Sequence, residues 1–325
     1  MAKVEIFGGF DVSKKFFDVC VLEAGQQRVR RFSNDLVGLG AVVEWLPGDT
    51  QCVMEATGPY YLQLACYLHS HGFAVSVINP LVIRRFCQMR MLRAKTDKAD
   101  ARMIAIYGQG ELPALWEPPR QYAVTLQQLD ALSEQLQKQQ TALRNQLESF
   151  EASGMLEQST RLKLKKLIAH LEKELQQLAK DTDKIMVAYH QDMLANLTTI
   201  PGLGKKTATV LIMITGGFSR FSNYKQLSAY VGLSPRIYES GSSVRGKARI
   251  CKMGMGRIRA LLYLCSWSAK RCNQGCQLLY DRLVAKGKSK RLALIAVANK
   301  LIKQAFAIAT THTVYDKNYL NNSCF

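Results

Sequence analysis

The chain has 325 residues, 48% of them apolar, and its 44 Lys and Arg outnumber 25 Asp and Glu to give a net charge of +19. This length predicts two or three domains with sizeable cores, and the apolar content excludes a globally disordered chain. The basic surplus indicates a polyanionic partner, either a nucleic acid or an anionic membrane surface.

The sequence gives little support to the membrane alternative. No stretch approaches about 18–20 uninterrupted apolar residues, and the segment MAKVEIFGGF lacks the pattern of a secretory signal. Nine scattered cysteines are typical of reduced thiols in a cytosolic protein. A zinc site is not expected, because Cys272 and Cys276 form a lone pair and a structural site needs about four ligands. We therefore expect a cytoplasmic protein.

Residues 1–118 alternate strand and helix signals and predict an α/β domain. Three early strands are predicted at VEIFGGFDV, FFDVCVLEA and, after an AGQQ turn, RVRRFSN. A short helix (GLGAVVEWL), a strand (QCVMEA), a helix ended by Gly72 (PYYLQLACYLHSHG) and a strand (FAVSVINP) follow. This order is typical of a ribonuclease-H-like sheet. Two prolines after Trp116 predict the exit from the domain.

Residues 119–192 predict two heptad-patterned helices joined by a turn at Ser153 and Gly154. An antiparallel coiled-coil hairpin or dimerisation arm is one interpretation, and an amphipathic helix pair packed on its own domain is the other. Apolar residues repeat every seven positions in each helix: Leu129, Leu136, Leu143 and Phe150, then Leu164, Leu171, Leu178 and Ile185.

Residues 193–325 predict a mainly helical, strongly basic domain. Between Arg236 and Lys303 there are sixteen basic residues and two acidic ones, Glu239 and Asp281, a surplus of 14. A run of charge is often only a solvated surface. Here it is interleaved with Gly, Ser, Tyr and Trp, which favours nucleic-acid binding.

Four acidic residues form the first candidate site. Asp11 stands in a strand between Phe10 and Val12, where an unpaired carboxylate is costly. Glu55 ends the predicted strand QCVME, so it would share a crevice with Asp11 at the carboxyl ends of the strands.

Asp97 and Asp100 are three residues apart, on one face of a predicted helix. Two divalent cations, Mg²⁺ with Mn²⁺ as a substitute, would neutralise the four carboxylates and clamp a phosphodiester. The simpler alternative is structural: the two aspartates could cap their own helix, with salt-bridge partners at Lys95, Lys98 and Arg102.

The segment IPGLGKKTA predicts a helix-hairpin-helix-like element that binds a phosphate through backbone N–H groups. Its candidate contacts are Gly202, Gly204, Lys205 and Lys206. Such a contact positions a nucleic acid without reading its sequence. A plain connection between two helices remains the alternative.

A serine-rich loop, YESGSSVRGKAR, is the second candidate site. Serine becomes a nucleophile when its proton is removed and the charge of the phosphate is neutralised, and Arg245, Lys247 and Arg249 are candidate phosphate contacts. From the residues alone, the nucleophile is any of Ser240, Ser242 and Ser243, and a loop that only binds phosphate is an equal alternative.

Six motifs occur in an order that resembles the insertion-sequence transposases with a DEDD acidic tetrad, which are kin of the Piv DNA invertase and have been called bridge-RNA-guided recombinases. They are FDVSKKFFDV, MEATGPYY, VINP, KTDKADARMIA, IPGLGKKTA and GLSPRIYESGSSVRGKARI. The resemblance covers nearly the whole chain and implies a RuvC-like N-terminal domain, a coiled-coil arm for assembly, and a C-terminal transposase domain with a catalytic serine.

By the same resemblance, the catalytic and metal-binding acids are Asp11, Glu55, Asp97 and Asp100, and the serine is Ser240. It further implies a tetramer, a dimer of dimers, that holds donor and target DNA and joins the acidic site of one subunit to the serine of another. A bridge RNA from the element's non-coding region would pair with both DNAs, in the bacterial cytosol at the nucleoid.

The expected function is therefore site-specific recombination through a phosphoserine intermediate. Two other functions remain open at the level of sequence. One is a RuvC-like metal-dependent endonuclease that uses water, and the other is a non-enzymatic nucleic-acid-binding protein.

Overall fold

A computed structural model describes residues 6–91, 96–236, 239–240, 244–245, 249–251 and 254–317, with only the backbone described from 236 to 249. The chain divides into two compact units, Met1–Pro119 and Arg120–Phe325. The first contains a five-stranded sheet with helices, and the second is mostly helical. The predicted combination of an α/β part with a helical part is confirmed at this level.

The sheet of the first unit has the strand order β3-β2-β1-β4-β5. The first three strands form an antiparallel meander, whereas β4 and β5 add in parallel beside β1. The strands are β1 (Ile6–Val12), β2 (Phe16–Glu23), β3 (Gln26–Ser33), β4 (Thr50–Glu55) and β5 (Ala74–Ile78).

Helices cover both faces of this sheet, because successive side chains of each strand point to opposite faces. On one face, Phe10 and Val12 of β1 pack in a core with the first two helices. On the other face, Phe7 packs with Ile83 and Ile104 of the next two. The helices are α1 (Leu36–Trp45), α2 (Tyr60–Ser70), α3 (Pro80–Met89) and α4 (Asp97–Glu111).

The sequence predicted the five strands, α1 and α2, and a helix bearing Asp97 and Asp100. It missed α3, which begins at Pro80 with Asn79 as its cap residue. The third strand also starts earlier than predicted, since the turn is Ala24 and Gly25 and both glutamines of AGQQ belong to β3. At the domain exit, the N–H of Trp116 donates a 2.7 Å hydrogen bond to the carbonyl of Val75.

Two long helices, α5 (Gln121–Ala152) and α6 (Gln158–Thr198), open the second unit and pack against each other. The heptad residues of α5 are half-buried to exposed, whereas Leu164 of α6 is buried. The predicted helix pair is present, and its role as an assembly arm stays a prediction. Helix α6 departs from helical geometry at His190 (φ −143°, ψ 26°).

The rest of the second unit is a helical core with four short strands. The helices are α7 (Lys205–Thr215), α8 (Tyr224–Val231), α9 (Gly256–Cys272), α10 (Gln274–Ala285) and α11 (Lys290–Thr311). The strands β6 (Pro235–Arg236), β7 (Glu239–Ser240), β8 (Val244–Arg245) and β9 (Arg249–Ile250) form two antiparallel pairs, β6 with β9 and β7 with β8.

Helix α11 supplies much of this core. Its buried side chains include Leu294, Val297, Leu301 and Ile302. By length and composition it is also the one helix, among the residues that the structure describes, that could cross a membrane, although half of its apolar window is buried inside the protein.

Candidate active site

Three charged side chains lie side by side across β1, β2 and β3. The antiparallel register places Asp11 opposite Asp18, and Asp18 opposite Arg31. Directly opposite residues of neighbouring strands project to the same face of a sheet. This is the face covered by α4, because Asp11 is an even number of residues from Phe7, which packs on that helix. The sheet therefore presents two carboxylates and a guanidinium to α4.

Glu55 adds a third carboxylate at the end of β4. The parallel register pairs Phe10 with Met54, so Asp11 and Glu55 are the next residues along two adjacent strands. The hydroxyl of Thr57 donates a 2.8 Å hydrogen bond to Oε1 of Glu55. The predicted proximity of Asp11 and Glu55 thus follows from the strand register.

Helix α4 supplies Asp97 and Asp100 from its first turn. The cap residue is Thr96, whose hydroxyl accepts a 3.2 Å hydrogen bond from the N–H of Ala99. The alternative in which the two aspartates cap their own helix is therefore wrong. Their three-residue spacing keeps both on the same side of α4.

Gly9 allows α4 to pack directly on β1. A Cβ atom at this position would lie 2.2 Å from the backbone O of Ala101 and 2.2 Å from the backbone N of Ala105. Both contacts are far shorter than van der Waals separation, and neither partner is a flexible side chain that could move away. Because Gly9 precedes Asp11 by two residues, this close packing brings the first turn of α4 towards Asp11.

The crowded carboxylates change the acidity of Asp11. Burial, followed in order of effect by the neighbouring carboxylates of Asp100, Asp97, Glu55 and Asp18, raises the pKa of its carboxyl from 3.8 to about 6. A shift in this direction means that the charged form is poorly compensated. The face therefore has an excess of negative charge in the absence of a bound cation.

Arg31 is the cation that the structure places against these acids. Its Nε donates to both carboxylate oxygens of Asp18, at 3.2 and 3.0 Å, and its Nη2 donates to Oδ2 of Asp18 at 2.6 Å. The same Nη2 donates to Oδ2 of Asp97 at 2.8 Å. The ion-pair partner described for Asp97 is thus on β3, and one of the neighbouring basic residues that the sequence suggested, Lys95, lies outside the described residues.

A divalent cation fits the chemistry of this face. Carboxylate oxygens are the ligands that Mg²⁺ and Mn²⁺ prefer, and uncompensated negative charge favours their binding. In the part of the chain that the structure describes, no three His, Cys, Asp or Glu side chains are arranged to hold a metal ion.

Comparison with known proteins identifies the family to which this chain belongs. Residues 8–152 match a family model for transposases of the DEDD IS110 type, and residues 194–281 match a model described as the transposase IS116/IS110/IS902 family. The pilin gene-inverting proteins of Moraxella lacunata and Moraxella bovis are each 30% identical over 323 residues, which cover 95% of this chain and 97% of each relative. The chain belongs to the IS110 family of transposases.

A more distant relative extends the same match. The transposase for insertion sequence element IS1328 of Yersinia enterocolitica is 23% identical over 342 residues, covering 95% of this chain and 98% of that protein. The resemblance to insertion-sequence transposases is therefore confirmed. This transposase is a DNA-rearranging enzyme that catalyses phosphoryl transfer, and its DEDD class suggests the use of a divalent metal.

The hairpin predicted to bind phosphate lies between α6 and α7. Gly202 has a φ of +93°, and a Cβ there would lie 2.6 Å from the backbone Cα of Ala269, so this glycine has a packing role. Gly204 precedes α7, whose start has no side-chain cap. Lys205 forms a 2.7 Å salt bridge with Asp183, and Lys206 is exposed. Phosphate binding by these residues stays a prediction.

The serine loop is described only in part. Ser240 lies in β7 and pairs with Val244 of β8 in an antiparallel register that also pairs Glu239 with Arg245. The backbone of Arg249 belongs to β9. Ser242, Ser243 and Lys247 lie outside the described residues. The identity of the nucleophile therefore stays a prediction.

Sequence reasoning missed three residues of the acidic face: Gly9, Asp18 and Arg31. Asp18 stands in the strand FFDVC between apolar neighbours, as Asp11 does in its own strand, and the same argument about an unpaired carboxylate applied to it. Arg31 had no such signal, because an arginine in a basic strand is ordinarily a surface residue. The role of Gly9 can be recognised only when the position of α4 against β1 is known.

Proposed function

We propose that this transposase cuts and rejoins DNA through a covalent phosphoserine intermediate, at a site that combines a RuvC-like acidic centre with Ser240. The acidic centre consists of Asp11, Glu55, Asp97 and Asp100. These four residues would hold Mg²⁺, or Mn²⁺ in its place. A cation held there would polarise the scissile phosphate and neutralise its charge.

The remaining chemistry belongs to the chain's own residues. The Oγ of Ser240 attacks the phosphorus of one strand, the bond to the 3′ oxygen breaks, and the proton of the serine leaves with the new 3′-hydroxyl. A 3′-hydroxyl of the other duplex then attacks the phosphoserine, and Ser240 leaves with its proton restored. Because each step exchanges one phosphoester bond for another, no nucleotide hydrolysis is required.

The observation that supports this proposal is the excess negative charge at one sheet face. Four separate elements (β1, β2, β4 and α4) bring acids to that face, and burial together with these neighbouring acids raises the pKa of Asp11 to about 6. A purely structural role would favour paired acids with lowered pKa values, since an uncompensated carboxylate destabilises the fold. Groups with raised pKa values in a shared crevice are typical of functional sites.

The second unit, which contains the basic residues of the segment 236–303, would bind and position the nucleic acids. We assign Arg245 and Lys247 to the charge that develops on the transferring phosphate. Arg249, the glycines 202 and 204, and the lysines 205 and 206 would contact phosphates elsewhere along the duplex.

A bridge RNA encoded beside the gene would supply sequence specificity by pairing with donor and target DNA. Within a dimer of dimers, the acidic centre and the serine would come from different subunits. The large basic surplus of residues 236–303 supports a nucleic-acid partner of this size. It supports DNA and RNA equally, because phosphate contacts do not distinguish them.

Covalent trapping tests the proposal. The full-length protein is incubated with end-labelled donor and target DNA, RNA transcribed from the DNA flanking the gene, and Mg²⁺, and is then denatured and separated on a gel. We expect a labelled protein band that requires RNA and metal and that is absent in both Ser240→Ala and Asp11→Asn.

Ser242→Ala and Ser243→Ala are the matched controls, and both should retain the band. Loss of the band in one of these variants but not in Ser240→Ala would move the nucleophile to that serine. Cleaved DNA without any protein-linked label would overturn the phosphoserine mechanism and leave a metal-dependent nuclease that uses water.

A further inference from the structure

Asp18 is a buried carboxylate that the proposed reaction does not use. Its side chain is 3% exposed and lies opposite Asp11 in the β1–β2 register. A carboxylate at such a position requires a partner, because burial of an unpaired charge costs several kcal/mol. Arg31 is that partner and makes three hydrogen bonds to it.

Arg31 also reaches beyond Asp18 to the first turn of α4. Its Nη2 is shared between Oδ2 of Asp18 at 2.6 Å and Oδ2 of Asp97 at 2.8 Å. The side chain of Asp97 is 66% exposed, and Thr96 fixes the start of its helix independently. Among the residues that the structure describes, Arg31 is therefore the group that orients this carboxylate.

We propose that the Asp18–Arg31 pair is a positioning device that holds Asp97 towards β3 in the metal-free protein. Metal loading then requires Asp97 to exchange Arg31 for the cation, while Asp18 keeps Arg31 anchored on the sheet. This inference rests on the proposed function, in that Asp97 is a metal ligand there.

Mn²⁺ affinity tests this role without relying on activity. The full-length protein is titrated with Mn²⁺ alone, and free Mn²⁺ is followed by electron paramagnetic resonance. The test variant is Asp18→Asn with Arg31→Gln, which removes one negative and one positive charge together. We expect it to bind Mn²⁺ about tenfold more tightly, because a charge-assisted hydrogen bond to Asp97 no longer competes.

Strands β2 and β3 also provide a matched control. Arg28 and Glu23 form an exposed salt bridge across β2 and β3, so Glu23→Gln with Arg28→Gln removes identical charges from the same strands. This control should bind Mn²⁺ with wild-type affinity. Arg31→Lys retains the positive charge but not the several N–H donors of the guanidinium. Its Mn²⁺ affinity should lie between those of the wild type and the Asp18–Arg31 double variant.

The outcomes separate this inference from the proposed function. Saturable Mn²⁺ binding that Asp11→Asn removes, combined with wild-type or weaker affinity in the Asp18–Arg31 double variant, would overturn the positioning role alone. Absence of saturable binding in the wild-type protein would overturn both the proposed metal centre and the positioning role. An equal increase in Mn²⁺ affinity in the Glu23–Arg28 control would also count against the role of Arg31. It would show that removal of any ion pair from β2 and β3 has the same effect.

Discussion

The two units of this transposase use charge in opposite ways. Residues 1–119 contain thirteen basic and twelve acidic residues, and five of the twelve acids lie together at one face of the sheet. Residues 236–303 have a surplus of 14 basic residues distributed over 68 positions. The first arrangement depends on strand register and the close packing of a helix, whereas the second depends on composition.

This difference indicates where the protein tolerates single substitutions. At the acidic face, one carboxylate interacts with four others, so removal of a single group alters the whole cluster. Across a basic surface, each exposed charge contributes a small and roughly independent part of the binding free energy. We therefore expect single substitutions in the first unit to have large effects and those in the second to have small ones.

The largest expected effect is that of substituting Asp11. Asp11→Asn should lower the rate of DNA cleavage by about a thousandfold, since the proposed metal centre would supply several kcal/mol of transition-state stabilisation. The affinity for DNA should stay within about twofold, because phosphate contacts elsewhere determine it. Cleavage rates and filter-binding titrations on the same preparations measure the two effects.

Asp49→Asn is the control for this prediction, since Asp49 is an exposed acid of the same unit in the turn before β4. It should cleave DNA at the wild-type rate. Comparable losses of cleavage and of DNA binding in Asp11→Asn would contradict the separation of the two regions.

The second effect concerns backbone packing. Gly9→Ala should destabilise the protein by about 3 kcal/mol or more, because its Cβ would meet the backbone of α4. Gly204→Ala, at the start of α7, has no heavy atom within 4 Å of the added Cβ and a negative φ of −75°. It should change stability by about 0.5 kcal/mol or less. Urea denaturation followed by circular dichroism gives both values.

The third effect is a pH dependence of the metal-free protein. The pKa of Asp11 is about 6 in the folded state and 3.8 ordinarily, so the folded chain binds more protons between these values. The contribution of Asp11 to the free energy of unfolding should therefore fall as pH rises from about 4 to about 6. The difference between wild type and Asp11→Asn, measured by urea denaturation at several pH values with chelator present, should follow this sign. A difference independent of pH would contradict it.

The smallest effect is on individual lysines. Lys206→Gln should reduce the slope of log Kd against log salt for DNA binding by about one unit if it contacts a phosphate. Lys205→Gln should reduce it less, because Lys205 is already paired with Asp183 at 2.7 Å in the free protein. Binding isotherms at four or five salt concentrations distinguish the two variants, and a wild-type slope in both would remove these two lysines from the DNA interface.

Much of the fold was predictable from local pattern. Alternating apolar residues identified the strands around Asp11 and Glu55, because the side-chain period of a strand is two residues. Helix α3 was missed because the segment after Pro80 mixes Arg84 and Arg85 with apolar residues and is not followed by a glycine that would mark its end. The start of β3 was misplaced by two residues, since a glutamine pair is equally compatible with a turn.

The candidate site was predictable only where a residue is unusual in its own segment. Asp11 is such a residue, and the structure places it with Glu55, Asp97 and Asp100 at one face. Asp18 has an equally poor local fit but was overlooked, and Arg31 is ordinary in its strand. A partner of Asp97 was predicted among its neighbours in sequence, and the structure describes one on another element, Arg31, 66 residues away.

The sequence by itself determined the family, the enzyme class, the mixed architecture and the position of the basic region, and it predicted the four acids of the candidate site. These properties depend on residue type, motif order and local periodicity, which are written in the chain directly. The tertiary structure alone decided that Gly9 admits α4 onto β1, that Asp18 joins the acidic face, and that Arg31 links Asp18 to Asp97. Each of these depends on strand register or helix packing, which brings together residues whose separation in sequence gives no indication that they meet.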